Sequence, residues 1–147
     1  CELIVIIAGK PSIGFLLQSS RDLADADAVV AGGRGVRGPE GFAAVECLAD
    51  ALGAAVGASR AAVDAGWRDH GCQIGKSGRV VSSKLYVALG VSGAVHHRMG
   101  MDSARTVVVV NSDPNAPFFK HADYGIVGDL FRIAPALAEE IRRMRDG

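Results

Sequence analysis

The sequence is poor in what a disulfide scaffold, a membrane protein or a nucleic-acid binder needs. Its 147 residues include three cysteines, Cys1, Cys47 and Cys72. That odd number, with no C-x-x-C pair, suggests neither a disulfide framework nor a zinc site and points to a reducing compartment. Lysine plus arginine balance aspartate plus glutamate at 16 each, so no long-range field draws in nucleic acid or an anionic membrane. The apolar run that opens the chain, Leu3 to Ala8, is too short and too close to Glu2 and Lys10 to be a membrane span or a secretory signal. Aromatic residues make up 5%, and internal repeats and low-complexity linkers are absent. The chain begins at Cys1 rather than at a methionine, as a fragment of a longer protein would.

What is plentiful is glycine, 19 residues, in a chain that is 49% hydrophobic. That length fits one domain with one core. Small residues and Val/Ile runs suit helices packed closely on a buried parallel sheet. Leu3 to Ile7 reads as a strand ended by Gly9, Lys10 and Pro11, while Ile13 to Leu23 is helical or irregular. Further strands are predicted at Ala28 to Ala31, Ala54 to Ala58, Lys84 to Leu89, Thr106 to Val110 and Tyr124 to Val127. Helices are predicted from Pro39 to Leu52, from Arg60 to Ala65 with Ser59 as cap, from Ala94 to Met99 and from Leu130 to Met144, the last kinked or split by Pro135. This alternation specifies an α/β fold: a single-domain, doubly wound, Rossmann-like parallel sheet with helices on both faces.

The stretch from Lys84 to His97 organises the chemistry. Gly90 and Gly93 flank Ser92 at the end of a strand, so backbone N–H groups can approach an anion there, at the mouth of a following helix. Gly33-Arg34-Gly35-Val36-Arg37-Gly38 fits G-x-G-x-x-G, but no acidic residue ends a second strand, so the dinucleotide fingerprint is incomplete. Ile74-Gly75-Lys76-Ser77-Gly78 is a second glycine-spaced loop. Arg34, Ser59 with Arg60, Ser92 to His97, Asn111 and Asp129 each follow a strand, and in a parallel sheet those termini lie on one edge, as a ligand cleft requires.

Taken singly, most of these residues have plainer explanations. Ser59 and Asp129 suit N-caps, Arg34 a solvated loop charge, and His70, His96 and His121 the surface. His97, one turn past Ser92, is placed to point back over the loop. Arg60 opposes the helix dipole in the first turn, a cost that a neighbouring anion would offset. Gly90-Val91-Ser92-Gly93-Ala94 approximates a nucleophile elbow, with Asp113 and His121 following in the required order. Ala94 stands where that elbow needs glycine, and no oxyanion-hole loop is evident.

In order and spacing, Gly32 to Gly35, Val56 to Gly66, Gln73 to Gly78, Leu85-Tyr86, Gly90 to His97, Asn111 to Pro117 and Ala122 to Leu130 closely resemble the C-terminal FAD-binding domain of electron transfer flavoprotein alpha subunits. The resemblance runs from about Asp27 to the end, making 1–26 an unrecognised lead-in and 27–147 the FAD-binding domain. It implies that FAD is lined by Arg34, Ser59, Arg60, Ile74, Gly75, Lys76, Ser77, Ser92, Gly93, Ala94, Val95, His96, His97, Asn111, Asp129 and Leu130. Arg60, Ser77 and His97 would lie nearest the flavin, Val91 to Ala94 at the pyrophosphate, and Asn111 and Asp129 at the remote half. Reduced flavin carries negative charge at one end of its ring, so a cation and a hydrogen-bond donor there raise its potential. Lys76 and Ser77 stand where the family commonly has Gln-Thr, and His96 where it has Gln.

The resemblance further implies an electron carrier, not an enzyme with substrate chemistry of its own. It implies an electron transfer flavoprotein beta subunit as heterodimer partner, acyl-CoA dehydrogenases as donors and a downstream acceptor, in the bacterial cytoplasm or the mitochondrial matrix. No metal, nucleic-acid partner or membrane insertion is expected. Two other readings share the sheet and the glycine loops: an NAD(P)-binding domain of a dehydrogenase or transhydrogenase, and a structural domain without a ligand.

Overall fold

The apolar runs condense into one sheet. The computed structural model describes Leu23 and residues 25–146, so the strand expected at 3–7 and the segment from 13 to 22 lie outside the described residues. Five strands, β1 (Ala28–Gly32), β2 (Ala55–Ala58), β3 (Leu85–Leu89), β4 (Thr106–Asn111) and β5 (Tyr124–Val127), run parallel in the order β2-β1-β3-β4-β5. In register, Val30 stands between Val56 and Val87, and Val108 between Val87 and Tyr124. Every residue of β1 and β3 is buried, as a strand covered on both faces should be.

The connections decide what covers each face. α1 (Phe42–Leu52) joins β1 to β2; α2 (Arg60–Asp64), α3 (Val95–Arg98) and α4 (Leu130–Asp146) follow β2, β3 and β5. From β1 the chain steps one way to β2, whereas from β3 it steps the other way to β4 and β5. Right-handed crossovers therefore put the two sets of connections on opposite faces. On one face α1 and α4 pack Val45, Leu48, Leu52, Leu137 and Ile141 against Val30, Val87 and Val108. On the other, Ile74, Met101 and Phe118 cover Val29, Tyr86 and Val109. These come from loops and short helical turns, so the second layer is thinner.

Three helices differ from the sequence reading. The segment from Pro39 opens as a 3-10 turn, Pro39–Gly41, and becomes α-helical at Phe42. α3 is confined to Val95–Arg98. Pro135 lies inside α4 without splitting it. Its ring stands on the exposed side, where water can replace the missing N–H partner. Ala134, Leu137, Ala138 and Ile141 meanwhile hold the opposite stripe on the sheet.

Candidate cofactor site

The strand order reverses between β1 and β3, the place in an open α/β sheet where a crevice forms beyond the carboxyl ends of the strands. A cavity of about 640 Å³ lies there. Its base is laced by backbone hydrogen bonds: Gly33 N–H donates to Leu89 O at 3.1 Å, Gly35 N–H to Gly90 O at 3.0 Å, Ser59 N–H to Gly32 O at 3.0 Å and Ile74 N–H to Ala58 O at 2.9 Å. Each loop thus leaves the sheet from a pinned point.

Beyond β2, Ser59 caps α2, its Oγ accepting the Ala62 N–H at 3.3 Å. Arg60 then opens into the cavity while its Nε lies 3.4 Å from Asp64 Oδ2 in the same helix. A carboxylate one turn away therefore offsets part of the dipole cost of a first-turn cation. In the next loop the buried Gln73 donates from Nε2 to Ser77 Oγ at 3.1 Å, which leaves the Ser77 proton free to donate elsewhere. Lys76 N–H donates to His96 O at 2.8 Å, tying this loop to α3.

After β3, the turn passes through Gly90 at φ 69 and Gly93 at φ 83, conformations that glycine adopts without strain. The N–H groups of Val91, Ser92, Gly93 and Ala94 find no acceptor among the described residues. Asn111, at the end of β4, donates from Nδ2 to Val91 O at 3.5 Å and accepts the Asp113 N–H at 3.0 Å, so its amide braces two loops.

His97 is buried in the cavity wall. Its Nε2 lies 2.7 Å from Tyr86 Oη, and its ring meets those of Tyr86 and Phe118 edge to face. Burial pushes the imidazole down to about 4, and a backbone hydrogen bond with Ile74 acts in the opposite direction. The ring is therefore neutral at physiological pH. Nδ1 is buried and makes no well-formed hydrogen bond among the described residues, the Ile74 backbone being the group that acts on it. Burial likewise pushes the Tyr86 phenol far up, so it stays protonated.

Arg34, Ser59, Arg60, Ile74, Gly75, Lys76, Ser77, Ser92, Ala94, Val95, His96, His97 and Asn111 all line this one cavity. Gly93, Asp129 and Leu130 are not among its lining residues. Gly93 is turned against Phe118, Asp129 caps α4 by accepting the Phe131 N–H at 2.9 Å, and Leu130 is buried beside Gly90. The wall also includes Gly35, Ala61, Gln73 and Gly90, outside the predicted set, and Val91 of the turn expected at the pyrophosphate. Of these only Gln73 offers a side-chain signal in the sequence, an amide four residues ahead of a serine. No hydrolase triad assembles: Asp113 Oδ1 accepts the Asn115 N–H at 2.9 Å, and His121 Nδ1 faces Arg98 Nη1 at 3.5 Å.

The chemistry of the wall suits an anionic, extended ligand. It carries Arg34, Arg60 and Lys76 and, among the described residues, no acidic side chain. The N–H groups of Val91 to Ala94 want acceptors, and phosphate oxygens are such acceptors.

Comparison with known proteins points the same way. Residues 22–102 match the family model described as the electron transfer flavoprotein FAD-binding domain. That stretch spans β1 to α3 and all but one of the residues lining the cavity, the exception being Asn111. The chain is 56% identical to electron transfer flavoprotein subunit alpha of Mycobacterium leprae over 93% of its own length and 42% of the relative's. With the namesake subunit of Thermoanaerobacterium thermosaccharolyticum it shares 53% identity over 84% of its own length and 38% of the relative's. With that of Bacillus subtilis it again shares 53%, over 84% and 38% respectively. It thus spans about two fifths of the length of the relatives it matches.

Proposed function

This chain belongs to the family of electron transfer flavoprotein FAD-binding domains, and from that premise we propose that it is the FAD-holding part of an alpha subunit that relays electrons between other proteins. Bound FAD supplies reversible one- and two-electron uptake at its flavin ring; the chain supplies the pocket, the charge and the hydrogen bonds. What carries this reading is that Arg34, Arg60 and Lys76, from three separate segments, open into one cavity at the switch point of the sheet.

In this reading the N–H groups of Val91 to Ala94 receive the pyrophosphate, Arg34 adds positive charge to the same wall, and Lys76 adds its charge on the flavin side. Arg60 holds a fixed positive charge near the flavin and favours its reduced, negatively charged form. Ser77, already accepting from Gln73, offers its own proton to the ring edge. Asn111, with Asp129 and Leu130 at the start of α4, is assigned to the remote half. The domain proper runs from residue 27 onward and carries no substrate chemistry of its own. It works in a heterodimer with an electron transfer flavoprotein beta subunit. It takes electrons from dehydrogenases of the acyl-CoA class and passes them to a downstream acceptor. Among the described residues no helix is long and apolar enough to cross a membrane, and the reading places the protein in the bacterial cytoplasm or the mitochondrial matrix.

The test is to denature the native full-length protein and identify what it releases. Stoichiometric FAD, with the absorption of a bound flavin beforehand, is the expected result; a nicotinamide dinucleotide, or no cofactor, overturns the reading.

A further inference from the structure

The N–H groups of Val91 to Ala94, which find no acceptor among the described residues, owe their direction to the carbonyls behind them. In a planar trans peptide the C=O and the N–H of the next residue point opposite ways, so whatever holds the oxygen aims the hydrogen. Gly90 O accepts the Gly35 N–H at 3.0 Å and Ser92 O the Phe118 N–H at 3.0 Å. Val91 O accepts from Asn111 Nδ2 at 3.5 Å, and Gly93 O from Arg98 Nε at 3.1 Å. Two of these holds are backbone groups on packed segments, and the Asn111 contact is long for a hydrogen bond. Arg98 supplies the one side-chain hold of ordinary length.

The peptide between Gly93 and Ala94 needs that hold most. Gly93, at φ 83, places little restriction on its own ψ. A rotation of the peptide plane would turn the Ala94 N–H away from the cavity that Ala94 lines and bring a carbonyl toward it. To an anion that is the wrong end of the dipole. Arg98 itself stands behind the wall: it is not among the lining residues. Its Nη1 faces His121 Nδ1 at 3.5 Å, on the 3-10 turn Pro117–His121 that also carries Phe118. Its backbone N–H donates to Ala94 O at 3.1 Å, so one residue grips two successive carbonyls, those of Gly93 and Ala94.

We propose that Arg98 is a positioning residue: its Nε–H, by holding the Gly93 carbonyl, aims the Ala94 N–H at the cofactor cavity. The effect on the cofactor rests on the FAD reading above, in which that N–H receives a phosphate; the hold on the turn does not. The bond needs only an N–H at the position of Nε, and the guanidinium charge is incidental to it. Substitution separates the two. Glutamine ends in an amide nitrogen the same number of bonds from the backbone as Nε, neutral and still a donor. Methionine puts a methyl there, and lysine a methylene with its charge one atom further on.

The experiment compares the full-length flavoprotein as wild type, Arg98→Gln, Arg98→Met and Arg98→Lys. The dissociation constant for FAD should stay within about twofold of wild type in Arg98→Gln. In Arg98→Met and Arg98→Lys it should rise roughly fivefold to tenfold, the factor that accompanies one such bond. Affinity kept in Arg98→Lys and lost in Arg98→Gln means that the charge acts and not the hold, and overturns the proposal, as does equal affinity in all four. Where Arg98→Met does not fold, the Gln and Lys variants decide. The Phe118 amide, bonded to Ser92 O, reports on the turn independently of flavin: its hydrogen exchange should quicken in Arg98→Met and return to the wild-type rate in Arg98→Gln. An unchanged rate in Arg98→Met shows that the turn keeps its shape without Arg98 and likewise overturns the proposal. If the wild type itself holds no FAD, the functional reading falls, and exchange alone decides whether Arg98 holds the turn.

Discussion

Gly35 N–H donates to Gly90 C=O at 3.0 Å, and this one bond holds together the loops that leave β1 and β3 on either side of the switch point. Neither residue has room for a side chain. A Cβ on Gly35 would stand 2.6 Å from Gly90 Cα, and one on Gly90 2.7 Å from Gly35 Cα. Gly90 is also at φ 69, where an L-residue is strained. Gly90→Ala is expected to destabilise the fold by roughly 2 to 4 kcal/mol, the overpacking and left-handed terms together, and Gly35→Ala by roughly 1 to 3 kcal/mol. Urea unfolding of the two variants checks this; a change below about 0.5 kcal/mol in Gly90→Ala would show that the loops part without cost.

Ser59 has two roles that separate by substitution. It caps a five-residue helix and lines the cavity. Ser59→Ala should cost about 1 kcal/mol through the lost cap. Ser59→Asp restores a capping oxygen but adds an anion beside the cations, so stability should recover while retained FAD falls. Denaturation midpoint and flavin content, measured on the same preparations, distinguish the two roles; equal flavin in both variants would leave Ser59 a cap alone.

The sheet was legible because its strands are continuous apolar runs with β-branched residues, and because glycine or a polar residue marks where each ends. The convergence of Arg34 and Arg60 followed from that same edge, since parallel strands deliver their loops to one side, whereas Lys76, midway between β2 and β3, was placed there only by the resemblance. What the sequence did not disclose depended on contacts between distant segments. Nothing local says that Pro135 faces solvent and is tolerated, or that Asp129 spends its carboxylate on the Phe131 N–H. Tyr86 read as a strand residue and His97 as a helix residue; their pairing is a product of how α3 folds over β3. Gln73 stands two residues before the first glycine of its loop, and its bond to Ser77 appears only once Ile74 is pinned to Ala58.

Arg60 and Asp64 form an exposed pair at 3.4 Å, each side chain about two thirds accessible. Such pairs contribute under about 1 kcal/mol to stability, so its consequence is electrostatic. Asp64→Asn releases Arg60 toward the cavity and should raise the flavin potential and slow FAD loss; Arg60→Ala should lower the potential. Lys76→Gln, which removes a cation from the same wall, should lower it as well. Potentiometric titration of the three variants checks the ordering, and an Arg60→Ala potential equal to wild type would place that guanidinium away from the flavin.

The last prediction follows from burial of His97. Its imidazole is pushed down to about 4 in the folded state against 6.5 when exposed, so folding excludes a proton that the unfolded chain accepts. Above about pH 6.5 both states are neutral and the residue leaves stability untouched. As pH falls from 6.5 toward 4 the unfolded state gains the proton and the folded state does not, so stability drops, by roughly 3 kcal/mol in all, and levels off below 4. Carboxylates titrate in part of that window, and subtracting the curve of His97→Asn removes their share. Urea unfolding at steps through the window should show wild type losing stability faster than the variant as the solution is acidified. Parallel curves would mean that the ring gains its proton in place, and that the wall around Nδ1 is wetter than its burial implies.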